Sequence, residues 1–143
     1  MILVDSNLLL YGFDAGAKHH VRARSWLENV LDSSEQVGFA WVTLLAFIRI
    51  GTNPSALLRA LSLEEAATIV SSILERRNAI LLHPGERHWT LLRQLIVDAQ
   101  ARGDLVTDAH LAALAIEHGA TLCTTDRDFA RFPGLRWQNP LQA

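Results

Sequence analysis

The chain has 143 residues, 50% of them hydrophobic and 20% charged, which fits one domain (residues 1–143) with a sizeable buried core. A net charge of -2 excludes a protein that coats polyanions indiscriminately, but not one that engages nucleic acid at a defined site. Cys123 is the single cysteine, so no internal disulfide can form. The start of the chain lacks the basic region and small-residue cleavage site of a signal peptide. Its most apolar stretch, Phe39 to Ile50, is too short to span a bilayer and carries Arg49. The cytoplasm is the expected compartment, with no membrane partner. Of the thirteen basic residues only Lys18 is a lysine. Arginine is the better phosphate clamp by geometry, although a GC-rich genome produces the same bias.

Strand and helix signals alternate along the chain. Ile2 to Val4 reads as a buried strand and Ser6 to Gly12 as a short helix, followed by the turn-prone Asp14-Ala15-Gly16. His20 to Leu31 is amphipathic, with Val21, Trp26, Leu27, Val30 and Leu31 on one side. Val37 to Ala40 reads as a second strand, and Thr43 to Ile50 as a helix stopped by Thr52-Asn53-Pro54. Ser62 and Glu65 have capping-box spacing and open a helix expected to reach Arg77. Ala79 to Leu82 is a third strand. Glu86 to Ala101 is a helix, with Trp89, Leu92, Leu95 and Ile96 at helical spacing and Arg102-Gly103 closing it. Thr107 is placed to cap a helix from Asp108 to His118, ended by Gly119. Leu122 and Cys123 belong to a fourth strand, and Leu135 to Trp137 to a short edge strand. This alternation predicts an α/β fold with a parallel sheet flanked by helices.

Three aspartates fall at element junctions: Asp5, Asp108 and Asp126. Singly, each has a structural explanation, as a helix cap or as an acid favoured in a first turn. Together they describe carboxylates gathered at one sheet edge, where open α/β sheets place their sites. Clustered carboxylates repel unless a cation lies between them, and hard divalent ions prefer oxygen ligands. Such a site suits hydrolysis of a phosphodiester.

The segments Asp5-Ser6-Asn7, Thr107-Asp108-Ala109-His110-Leu111-Ala112 and Thr124-Thr125-Asp126-Arg127-Asp128-Phe129 resemble the conserved blocks of PIN-domain nucleases. More closely, the chain resembles the toxins of VapBC toxin–antitoxin pairs. Phe47 to Pro54 and Phe132 to Leu141 are similar to a subgroup common in mycobacteria, so the likeness spans essentially the whole chain. The resemblance implies a three-layer α/β/α sandwich with a mostly parallel central sheet, RNA cleavage dependent on Mg²⁺ or Mn²⁺, a homodimer, and inhibition by a cognate antitoxin. It matches Asp5, Asp108 and Asp126 to three of the family's metal-binding and catalytic acids. A fourth acid, carried by many relatives three residues before an arginine, falls here on Ala46, with Arg49 as that arginine. The conservative expectation is therefore one ion held by Asp5, Asp108 and Asp126, with Asp104, Asp128 or water as candidates to fill the gap.

Asn7 is a candidate to orient Asp5 or a metal-bound water, and Thr125 to hydrogen-bond such a water or a phosphate. Arg49, Arg127 and Arg131 are candidates to steer the RNA backbone. His110 is placed outside the site, being about 200° round the helix from Asp108. Trp26, Trp41 and Trp89 can be read as core or as surplus apolar surface for a second copy or an antitoxin. A receiver domain would need adjacent acids after the first strand and a lysine near the last, where this chain has Asp5-Ser6-Asn7 and only Lys18. A haloacid-dehalogenase-type phosphatase would need Asp-x-Asp at the first strand, and position 7 is asparagine. The serious alternative is a PIN-fold module that binds RNA or an antitoxin without cutting, because Ala46 replaces an acid.

Overall fold

A computed structural model describes residues 1–142. Five strands form one sheet: β1 (Ile2–Val4), β2 (Val37–Phe39), β3 (Ala79–Leu81), β4 (Thr121–Cys123) and β5 (Trp137–Gln138). Their spatial order is β3-β2-β1-β4-β5, and every pairing is parallel. The chain thus builds outward from β1 to one side, then returns to lay β4 against its other side. That reversal opens a crevice at the carboxyl ends of β1 and β4. The register pairs Val4 with Cys123, so the next residues, Asp5 and Thr124, leave the sheet side by side.

The central strands are apolar at every position because both faces are covered. Ile2, Val4, Val37, Phe39 and Cys123 pack on one face against α1 (Ser6–Phe13), α2 (His20–Leu31), α3 (Trp41–Gly51) and α4 (Leu63–Leu74). Leu3 and Leu122 point to the opposite face, against α5 (His88–Ala99), α6 (Asp104–His118) and a 3₁₀ turn at Arg127–Arg131. The architecture is the expected α/β/α sandwich. Along α6, Ala109, Ala112, Ala113 and Ala115 are fully buried, and their small side chains let the helix lie close to its neighbours.

Several boundaries differ from the sequence reading, each for a local reason. The predicted capping box is present in both directions, Ser62 Oγ accepting from Glu65 N and Glu65 Oε1 from Ser62 N, but α4 ends at Leu74 rather than Arg77. Helix α3 starts at Trp41, two residues before Thr43, with only Ala40 between it and β2. Helix α5 closes on Gln100, which takes a left-handed φ of 50° without being glycine, so Arg102-Gly103 does not end it. Gly103 instead stands before α6 with φ 58° and ψ -129°. The helix therefore begins at Asp104: Thr107 is no cap, and Asp108 lies in the second turn. Val21 and Trp89, expected on buried faces, are 78% and 65% exposed. Trp41 is 46% exposed, whereas Trp26 packs against the core.

Candidate active site

Asp5 caps α1, its Oδ1 accepting from Ser6 N at 2.7 Å. Its other oxygen, Oδ2, accepts from the Thr124 hydroxyl at 2.7 Å. Thr124 is fully buried at the end of β4, and its Oγ1 also accepts from Asp126 N at 3.0 Å and from Asn7 Nδ2 at 3.2 Å. With two N–H groups pointing at its lone pairs, this hydroxyl has one direction left to donate, toward Asp5. One buried threonine thus ties together the ends of β1 and β4, the first turn of α1 and the loop bearing Asp126. Asn7 orients Asp5 through Thr124, not by touching it. The sequence offers Thr125 as a candidate hydroxyl, but Thr124 is the one at the carboxylates. The parallel strands place position 124 beside position 5, a pairing that no local motif reveals.

Asp5 also lines a cleft of about 580 Å³ whose other walls come from α3 and α6. Asp104 and Asp108 stand on one of these walls, four residues apart on the same helix face, and Ala46 and Arg49 on the other. Asp126 caps the 3₁₀ turn, its Oδ1 accepting from Asp128 N at 2.9 Å. Mutual repulsion couples these acids. Burial raises the Asp108 carboxyl to about 6, helped by the charges of Asp126, Asp5, Asp128 and Asp104 in that order. Burial likewise raises Asp5, where the bonds from Thr124 and Ser6 pull the other way and the charge of Asp126 adds to the rise. Among the described residues none of these aspartates forms an ion pair with a basic side chain. The cleft therefore concentrates negative charge, faced by Arg49 on the opposite wall but drawn into no direct ion pair.

A model of the PIN domain matches residues 2–135. The chain belongs to the PIN-domain family. Its relatives include ribonuclease VapC37 of Mycobacterium tuberculosis, 42% identical over 98% of this chain and 97% of that protein. Ribonuclease VapC43 of the same species is 41% identical, over 99% and 96% of the two chains. Among solved structures, VapBC-1 from nontypeable Haemophilus influenzae superposes with a TM-score of 0.71 at 19% identity, over 99% of this chain and 100% of that one.

Within this PIN domain Ala46 lies in the cleft wall where the family resemblance leads one to expect an acid, so α3 contributes no carboxylate there. Asp104, one turn before Asp108, brings a carboxylate to the same cleft from α6. Asp128 is exposed and affects the cleft through its charge on Asp108. Among the described residues, no three His, Cys, Asp or Glu side chains already stand close enough to share an ion. The donors nevertheless suit a hard divalent cation: they are oxygens, they carry unpaired charge, and Asn7 Oδ1 is buried beside them without a hydrogen-bond partner. His110 is outside this cluster, its Nδ1 lying 2.9 Å from His88 Nε2 between α5 and α6. No helix is long and apolar enough to cross a membrane among the described residues.

Proposed function

We propose that this PIN domain is a divalent-metal-dependent endoribonuclease, the toxin of a VapBC-type pair, acting in the cytoplasm and restrained by a cognate antitoxin. The observation that carries this reading is the convergence of Asp5, Asp104 and Asp108 on one cleft, electrostatically coupled to Asp126 and ion-paired with no basic side chain among the described residues. The names of the relatives, ribonucleases over nearly the full chain, support RNA as substrate. Solved relatives described as VapBC complexes support an antitoxin partner. Homodimerisation is part of the same proposal, with exposed Trp41 and Trp89 as apolar surface available to a second copy.

Asp5, Asp108 and Asp126 are the residues we assign to hold Mg²⁺ or Mn²⁺, with Asp104 as the added carboxylate. When bound, such an ion supplies Lewis-acid stabilisation of negative charge on the phosphate under attack. Thr124 keeps Asp5 in one rotamer before substrate arrives, which removes a reorganisation cost. Asp126 has Oδ1 engaged by Asp128 N, which leaves Oδ2 as the oxygen that would serve as ligand or water-orienting acid. Arg49, exposed on the cleft wall, offers a guanidinium to a phosphate oxygen of the RNA.

The test is cleavage of total cellular RNA by the antitoxin-free protein with Mg²⁺ or Mn²⁺, run beside Asp108→Asn. Discrete fragments from the wild type alone are expected. A second reading rests on Ala46: a module that binds RNA or an antitoxin without cutting. Intact RNA in both lanes, from folded protein that binds metal, would favour it.

A further inference from the structure

A second concavity of about 580 Å³ lies at the end of β4, lined by Tyr11, His19, Arg22, Thr125, Asn139 and Gln142. Two chain connections join it to the carboxylate site. Thr125 sits between Thr124, which holds Asp5, and Asp126. Tyr11 is one helical turn after Asn7 on α1, and so on the same side of that helix. Its chemistry differs from that of the acidic cleft. Tyr11 and His19 present adjoining rings, centroids 5.5 Å apart and inclined by 59°. Arg22 is exposed and has no carboxylate partner among the described residues, its Nη1 donating to Leu141 O at 3.1 Å. Asn139 accepts from Leu141 N through Oδ1 at 3.0 Å, which fixes the amide and leaves Nδ2 as a donor. Aromatic faces, a guanidinium and a fixed amide are groups that hold unpaired nucleotides, through stacking, phosphate contact and base-edge hydrogen bonds.

We propose that this groove binds the nucleotides flanking the scissile phosphate of a single-stranded RNA, with Tyr11 stacking a base and Arg22 contacting the backbone. The inference rests on the ribonuclease reading and adds the path of the strand: from the acids, over Thr125, onto Tyr11 and His19. It follows that the preferred RNA has an unpaired segment on this side of the cut, since a base within a duplex cannot reach a ring set in a groove.

The test uses the full chain carrying Asp108→Asn, so that RNA is bound without being cut. A fluorescein-labelled, random-sequence 12-mer oligoribonucleotide is read by anisotropy. Tyr11→Ala is expected to weaken binding roughly 5- to 100-fold, the worth of one stacked base, while Tyr11→Phe stays within about twofold. Arg22→Gln is expected to reduce the slope of log K against log salt by about 0.7. Because Arg22 also holds the Leu141 carbonyl, a measurement needing no groove variant accompanies these. A 5-iodouridine-containing 12-mer should photocrosslink to the peptide bearing Tyr11, the chain's single tyrosine. Undiminished binding by Tyr11→Ala and Arg22→Gln, with crosslinks elsewhere, would overturn the groove and leave the nuclease reading intact. Absence of both RNA binding and RNA cleavage in the wild type would overturn both.

Discussion

At the scale of single residues, the site turns on a hydroxyl with no hydrogen-bonding capacity to spare. Thr124 Oγ1 takes two N–H donors and gives its proton to Asp5, so its replacement disturbs three partners at once. Thr124→Val keeps the shape and removes the hydroxyl, leaving Asp5 Oδ2 and the Asp126 amide without their partner. Each unmet buried group costs roughly 1–3 kcal/mol, so a lower melting temperature is expected. A residue that orients a ligand in this way typically contributes about 10- to 100-fold to metal affinity or turnover. The expected result is a drop of that size in kcat and a matching rise in half-saturating Mn²⁺, with Thr124→Ser restoring most of both. Unchanged Mn²⁺ dependence in Thr124→Val would show that Asp5 is held without it. The aspartates themselves were legible in the sequence, because an acid after an apolar run is a local signal. Thr124 was not, because its role depends on which strand lies beside β1, and Thr125 next to it is an equally plausible hydroxyl.

At the scale of elements, the placement of the acidic wall depends on where α6 begins. Asp104 and Asp108 face the same cleft because the helix already runs at position 104, and it does so because Gly103 takes φ 58° with ψ -129°. That conformation is strongly disfavoured for a residue with a Cβ, although no atom would obstruct one there. Gly103→Ala is therefore expected to cost about 1–3 kcal/mol through backbone strain alone. Thermal melting should show a loss of several degrees, while the exposed neighbour Arg102→Ala stays within about 0.5 kcal/mol. An unchanged melt for Gly103→Ala would mean that the loop relaxes to another conformation at no cost. The sequence offered Thr107 as a cap because threonine before an acidic helical turn is a common start. The competing signal was the glycine, read as the end of α5, whereas α5 closes on Gln100. The number and order of elements are legible in the sequence because apolar runs and helical stripes are long-range averages. Their ends are decided by one or two dihedral angles.

At the scale of the molecule, the fold delivers like charges to one place and meets the electrostatic cost with stability drawn from two cores. The sign of that cost can be worked out for Asp108. Its carboxyl moves from an ordinary 3.8 to about 6 on folding, so between those values the folded chain keeps a proton that the unfolded chain has lost. The unfolded state then binds fewer protons, and stability falls as pH rises through that window. Asp108→Asn removes the charge, so without divalent ion the variant should melt above the wild type at pH 7.5 and close to it at pH 4. A divalent ion should act in the opposite sense. At about a hundred times its dissociation constant, it stabilises a folded state by about 2.7 kcal/mol. At pH 7.5, millimolar Mn²⁺ is therefore expected to raise the wild-type melting temperature by several degrees over EDTA. At pH 4.5 the gain should shrink, because Asp108 there holds a proton that competes with the ion. The variant should gain little at either pH. Melting curves of both proteins, with EDTA and with Mn²⁺ across this range, measure the repulsion and the ion site together. A variant that melts below the wild type at pH 7.5 in EDTA would mean that Asp108 stabilises the fold by contacts that outweigh its charge. An Mn²⁺ response undiminished by Asp108→Asn would place the ion elsewhere.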